Sequence, residues 1–267
     1  MKKGMKWAAA ALCCLAAALG ALAAWQRAEI ARLRSGGNYS DEMKMAYAVD
    51  LKDQGAHEVE RMGDHAGSPY FSRVDFYNAE PTKTLSILRR FQTIQQTTWW
   101  SCGVSCLEMV LQHYGRRGDW NEKTLAALRS DHSALHKGTC LDQMIEMAQK
   151  VGGFKIESTY DYAANPDAVD AAFLRRRLRD GVPVIVGWND WGGHWQVIIG
   201  YDDMGTDYPG DDVIIVADPF DTTDHNQDGY GVYGAERFLY NFTFFDFFGE
   251  EKGPRDRCFL ALTPMAR

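Results

Sequence analysis

Near Gly181 the period of the apolar residues changes, and that change constrains the fold more than any other feature. Upstream, Val104, Leu107, Val110, Leu111 and Tyr114 recur at helical spacing and stop at Gly115. This predicts an amphipathic helix that starts at Cys102 and ends on a glycine cap. Asn121 is placed to cap a short helix through Leu128, and Thr139 with Asp142 makes a capping-box-like start for a third helix ending at Gly152. Asn165 and Pro166 open a fourth, which ends near Gly181. Downstream, Val182–Trp188, His194–Tyr201, Val213–Asp218 and Cys258–Thr263 are short, branched, apolar runs bounded by Gly, Pro and Asp, the pattern of strands. Helices followed by consecutive strands predict an α+β fold, with N-terminal helices packed on a mostly antiparallel sheet rather than alternating βαβ units.

The first 24 residues read as a targeting segment. Lys2, Lys3 and Lys6 form a basic start, Trp7 to Trp25 carries no charge, and Ala21, Leu22 and Ala23 offer small residues for cleavage. The chain is therefore expected to be exported, secreted or periplasmic. The uncharged run is almost long enough to anchor in a bilayer and is followed by Arg27, Arg32 and Arg34, so an uncleaved anchor is the alternative and the only expected membrane contact. Cys13 and Cys14 lack the small preceding residues of a lipoprotein signal. Residues 25–90 are polar and weakly patterned, with a break at Ser35–Ser40 and an exposed helix expected over Met43–Met62; they read as a pro-segment or linker. Residues 91–267 are the expected domain. The net charge of −7, from 29 basic and 36 acidic residues, argues against a nucleic-acid partner.

Six cysteines are present, two inside the targeting segment. The other four, Cys102, Cys106, Cys140 and Cys258, form no CxxC pair, which argues against a zinc ribbon or a dense disulfide framework. Cys102 and Cys106 lie four apart on one expected helix and would bond poorly to each other, so any single bridge would join Cys106 to Cys140 or Cys258.

A cysteine in the first turn of a helix faces unpaired N–H groups and the positive end of the helix dipole, which favours thiolate. The surrounding run QQTTWWSCGVSCLEMVLQHYG, from Gln95 to Gly115, and the later GGHWQVIIGYDD and VIIVADPFD together resemble the bacteriocin-processing, double-glycine cysteine peptidases and their relatives with a papain-like fold. That resemblance spans about Phe91 to Phe220. It implies a papain-like cysteine peptidase in which Cys102 is the nucleophile, His194 the acid–base, Asp218 its orienting partner and Gln96 an oxyanion donor. It further implies a peptide or protein substrate and no required cofactor. The chain carries no GxxxxGK[ST] module, so it resembles a free-standing member. Self-cleavage after Gly37 ranks below signal removal near Ala23, because Arg34 stands where a leader would present an apolar residue.

Each residue also has a plainer reading. His194 could be a satisfied sheet histidine, Asp218 a turn former and Gln96 a loop residue, but their joint occurrence in order favours the site. Trp99, Trp100, Trp191 and Trp195 cluster in sequence around Cys102 and His194. Together with Trp188, which belongs to the same cluster, they either floor a substrate groove or fill the helix–sheet interface. His113 is expected only at a helix end, and the His132, His136, Cys140 face is interrupted by Gly138. Nine aspartates and no Lys or Arg lie between Asp202 and Tyr233; among them Asp224, Asn226 and Asp228 before Gly229 copy the first half of a calcium loop, without the second half. They are the candidate ligands of a structural calcium ion, against a solvated turn. Two other functions share the constellation: acyl transfer to an amine, as in transglutaminase-like proteins, and a non-catalytic peptide-binding module.

Overall fold

The computed structural model describes residues 18–27, 74–130, 138–190, 193–221, 227–243 and 256–266. Residues 18–27 form helix α1. Among the described residues no helix is long and apolar enough to cross a membrane. The remaining helices are α2 (Cys102–His113), α3 (Glu122–Ala126), α4 (Leu141–Val151), α5 (Ala171–Arg179) and α6 (Ala235–Asn241). The strands are β1 (Leu85–Ile87), β2 (Phe154–Ser158), β3 (Val184–Trp188), β4 (His194–Asp202), β5 (Val213–Ala217), β6 (Tyr230–Gly234) and β7 (Cys258–Pro264). The sheet runs β2-β7-β3-β4-β5-β6, with β1 pairing the far end of β4. Every strand pairing is antiparallel. The architecture is α+β, as the change of period predicts.

α2 lies in the centre of the core. Val104, Leu107, Val110 and Leu111 are wholly buried, as are Val197, Ile198 and Ile199 of β4 and Phe259, Leu260 and Leu262 of β7. Gly103 sets how closely the helix start meets the sheet: a Cβ there would lie 2.9 Å from Met144 Sδ and 3.1 Å from Trp195 Cδ1. A larger side chain would lift the cysteine end of α2 off β4.

Three boundaries differ from expectation. α4 is capped by Cys140 rather than Thr139, because Gln143 Oε1 accepts from the Cys140 N–H at 3.1 Å. Asn165 and Pro166 open only a 3-10 turn, and α5 starts later, where Asp170 accepts from the Phe173 N–H at 2.8 Å. Residues before Phe91 also pack on the sheet: β1 pairs with Gly200–Asp202, and Tyr77, Ile87 and Leu88 are buried. Met43–Met62 and Ser35–Ser40 lie outside the described residues.

Candidate active site

Cys102 is the first residue of α2, behind the cap residue Ser101. The loop ahead of it is tied down from within: Thr98 and Ser101 share a side-chain hydrogen bond of 2.9 Å, and Ser101 Oγ donates to the Thr98 carbonyl at 3.2 Å. β4 opens at His194, directly after Gly193 at φ +122°, a conformation suited to glycine. β5 ends at Ala217, paired with Val197, so Asp218 follows at the end of β5 that lies beside the start of β4, where His194 stands. The sheet thereby brings together two residues far apart in sequence.

His194 Nε2 lies 2.7 Å from Asp218 Oδ1, and Cys102 is near enough to the same imidazole to favour its charged form. With Nε2 committed to Asp218, Nδ1 is the nitrogen left for the thiol. All three residues are buried, at 7%, 7% and 2% exposure for Cys102, His194 and Asp218. Burial alone would lower the imidazole pKa, but the Asp218 charge and hydrogen bond, together with Cys102, hold it well above 6.5. Burial likewise opposes ionisation of Asp218, yet His194 and the donors from Phe220 and Gln196 keep its carboxyl below the usual value. Protonated His194 beside ionised Asp218 is the state this geometry favours.

Gln96 is buried, and its backbone N–H donates to the Pro219 carbonyl at 2.9 Å, so its loop is stapled to the turn that carries Asp218. Its Nε2 donates to the Thr98 carbonyl at 2.6 Å, while Oε1 is buried without a hydrogen-bond partner among the described residues. Behind the same loop sits Glu122, reached by the Thr97 hydroxyl at 3.0 Å and by the Thr97 N–H at 3.2 Å. Burial raises its carboxyl from 4.5 to about 8, against hydrogen bonds from Ser101 and Thr97, with Glu108 adding to the rise. The folded state then holds a proton that the unfolded chain releases, so this contribution to stability is full below about 4.5 and is lost as pH rises toward 8. Glu122→Gln is expected to melt close to wild type at pH 5 and to be more stable by about 3 kcal/mol at pH 8.5. Equal pH dependence of melting in both proteins would refute the buried proton.

The tryptophans divide. Trp99 is 77% exposed, three residues before Cys102. Trp100 and Trp195 are core residues instead, which corrects their assignment to a groove floor. The Arg129 guanidinium lies 4.8 Å from the Trp100 ring centroid, and the wholly buried Trp195 donates its indole N–H to the Thr139 carbonyl at 2.7 Å. Trp191 lies outside the described residues. His113 does more than end a helix: it packs 5.1 Å from the Phe91 ring, and burial lowers its pKa.

Of the calcium candidates, Asp224 and Asn226 lie outside the described residues. Asp228 is buried in a turn, its Oδ1 accepting from the Tyr230 N–H at 3.0 Å and its carbonyl from the Thr93 hydroxyl at 2.6 Å. Among the described residues no three His, Cys, Asp or Glu side chains converge as a metal site would require. Cys102, Cys106, Cys140 and Cys258 are all free thiols, so neither candidate bridge is formed.

A family model described as the Peptidase_C39 like family matches residues 88–242, more than half of the chain and the span that carries all four candidate residues. The chain belongs to that family. Membership in this Peptidase_C39-like family supports a cysteine-peptidase-type function and a peptide or protein substrate. Among solved structures the chain is similar to xylellain, a cysteine protease from Xylella fastidiosa. That likeness has 16% identity, 85% coverage of this chain and 98% of xylellain, and a TM-score of 0.39. No curated protein matches.

The residues that sequence reasoning passed over are Gln196 and Glu122. Gln196 had a readable signal: it stands two residues after His194 in a strand, and side chains two apart share a face.

Proposed function

We propose that the chain is an exported cysteine peptidase that hydrolyses peptide bonds through Cys102, His194 and Asp218. The observation carrying this is an imidazole whose Nε2 is 2.7 Å from a buried carboxylate, with the buried Cys102 at the start of α2 near enough to act on that imidazole. The Cys102 sulfur attacks the scissile carbonyl carbon after passing its proton to His194 Nδ1, and the carbonyl π electrons move onto oxygen. The Cys102 backbone N–H at the start of α2 and the Gln96 amide on the loop that leads into it stabilise that oxyanion. When the tetrahedral species collapses, the C–N bond breaks and His194 returns the proton to the departing amine, leaving a thioester. Water, deprotonated by His194, attacks the thioester and frees Cys102. The reaction as drawn draws only on the chain's own side chains and water. Trp99, exposed beside the nucleophile, offers an aromatic face to the substrate chain.

Profiling the purified protein on a random peptide library, with Cys102→Ala as the control, tests this reading and reports what precedes the cut. Cleavage that survives the substitution refutes it. Gln96→Ala is expected to lower kcat by about 10²- to 10³-fold with a much smaller change in KM, because its contact strengthens only as charge develops on oxygen. An unchanged kcat would remove Gln96 from the reaction. N-terminal sequencing of the mature protein tests export: a start near Trp25 indicates signal removal, and an intact Met1 indicates an anchor or no processing.

A further inference from the structure

The two oxygens of Asp218 are treated differently. Oδ1 faces His194 Nε2 and also accepts from the Phe220 N–H at 2.8 Å. Oδ2 accepts from Gln196 Nε2 at 2.8 Å. Gln196 is wholly buried. Its amide could in principle present either end, since oxygen and nitrogen are nearly equal in size. Its neighbours decide the matter: the Trp188 indole N–H, which can only donate, reaches Gln196 Oε1 at 2.8 Å. The amide oxygen is thereby committed to Trp188, and both N–H groups point the other way, one to Asp218 and one to the Tyr233 hydroxyl at 3.0 Å. Tyr233 passes its own proton toward Asp190 Oδ2 at 3.3 Å. Trp188 is in turn gripped by rings, with Tyr233 at 5.0 Å and Phe238 at 4.9 Å between centroids.

We infer that Gln196, aimed by the Trp188 indole N–H, is a positioning residue that fixes the Asp218 carboxylate on His194 and so governs the reactivity of Cys102. Without an amide donor, Oδ2 would be buried and unsatisfied. It would find relief by rotating toward water or by taking a proton, and either change loosens the grip on the His194 Nε2–H. The titratable groups facing Asp218 are His194 on β4 and Cys102 and Cys106 on α2, with Tyr233 and Asp190 behind Gln196. Gln196 itself carries no charge at any pH, so it holds Asp218 without adding an ionisation.

This inference rests on the proposed role of the Cys102, His194 and Asp218 set, and its test is separable from that role. The readout is the rate at which iodoacetamide alkylates Cys102, followed between pH 4.5 and 9 by mass spectrometry of the Cys102 peptide; it needs no known substrate. Wild type should react faster at pH 6 than a free cysteine peptide, and His194→Ala should abolish the excess. Failure there overturns the site itself. Given that excess, Gln196→Met, unbranched and of similar length but unable to donate, should slow alkylation at pH 6 by about tenfold or more. Trp188→Phe keeps a ring in place but frees the amide to flip, and should slow it several-fold in the wild-type background and not at all in Gln196→Met. Gln196→Glu should introduce a new fall in rate with rising pH, as the added carboxyl loses its proton beside Asp218, a limb that wild type lacks. Wild-type alkylation in Gln196→Met, or a Trp188→Phe effect that simply adds to it, overturns the inference while leaving the site intact.

Discussion

Cys102→Ala is expected to lower kcat/KM by on the order of 10⁴-fold or more on any peptide that the wild-type protein cleaves, because the proposed acyl intermediate forms on its sulfur. Cys106 is the natural control. It lies one turn further along α2, is wholly buried, and its thiol is pushed well above the ordinary value, first by burial and then by the charges of Cys102 and Asp218. It is therefore held as an inert thiol, and Cys106→Ala should retain most of the activity at a modest cost in stability from the lost packing. His194→Ala should match the Cys102 loss within about tenfold, since nucleophile and base act as a unit and their effects do not add. A Cys102→Ala protein that turns over at the wild-type rate refutes the assignment outright, and residual activity in a Cys102→Ala, Cys106→Ala pair would point to a nucleophile elsewhere.

Asp218→Asn is expected to cost about 10²- to 10⁴-fold in kcat while leaving the melting temperature within a few degrees. From sequence alone this looks like the gentlest change at the site, since asparagine also accepts a hydrogen bond from an imidazole. The surroundings make it severe. With its oxygen toward His194, the asparagine presents an N–H₂ to Gln196 Nε2; turned over, it presents that N–H₂ to His194 Nε2 and the Phe220 N–H. Each orientation sets a donor against a donor, and the second also forces the wrong imidazole tautomer. Steady-state kinetics beside thermal melting separates the two effects. A fall of less than about threefold in kcat would show that the carboxylate's second oxygen is free to find other partners.

What was legible in the sequence follows from how strongly each element is patterned. β3, β4, β5 and β7 announce themselves because both faces are covered, so they read as unbroken branched runs. β2 was missed because Lys155 is exposed and Glu157 half-exposed on a sheet edge, which gives the segment the look of a loop. β6 hid among glycines and tyrosines next to the acidic stretch, and β1 has only three residues to show. At the site, the motifs around Cys102, His194 and Asp218 nominate these residues in the sequence, and the fold brings His194 within 2.7 Å of Asp218. The tryptophans could not be sorted that way: exposure depends on which face of β4 meets α2, and only the close approach at Gly103 decides that Trp195 is inside. The Glu122 carboxyl was equally invisible, because its importance lies in the absence of water around it.

The position of β7 has a consequence for how such a chain is made. In the sheet it lies between β2 and β3, although it follows every other described strand in the sequence. As synthesis proceeds, β3, β4, β5 and β6 can pair as a meander, with the histidine and the aspartate already in register, while β2 waits without a partner and β3 keeps a bare edge. Two open edges separated by a missing strand form an unstable half-sheet, and contacts between residues this distant in sequence form slowly. α4, which packs against α2, also rests on β7, so one support of the nucleophile helix is incomplete until residues 258–264 arrive. The sheet would thus keep an open gap until the last strand is made, and a ribosome-bound nascent chain ending before Cys258 should lack the alkylation behaviour of the finished protein.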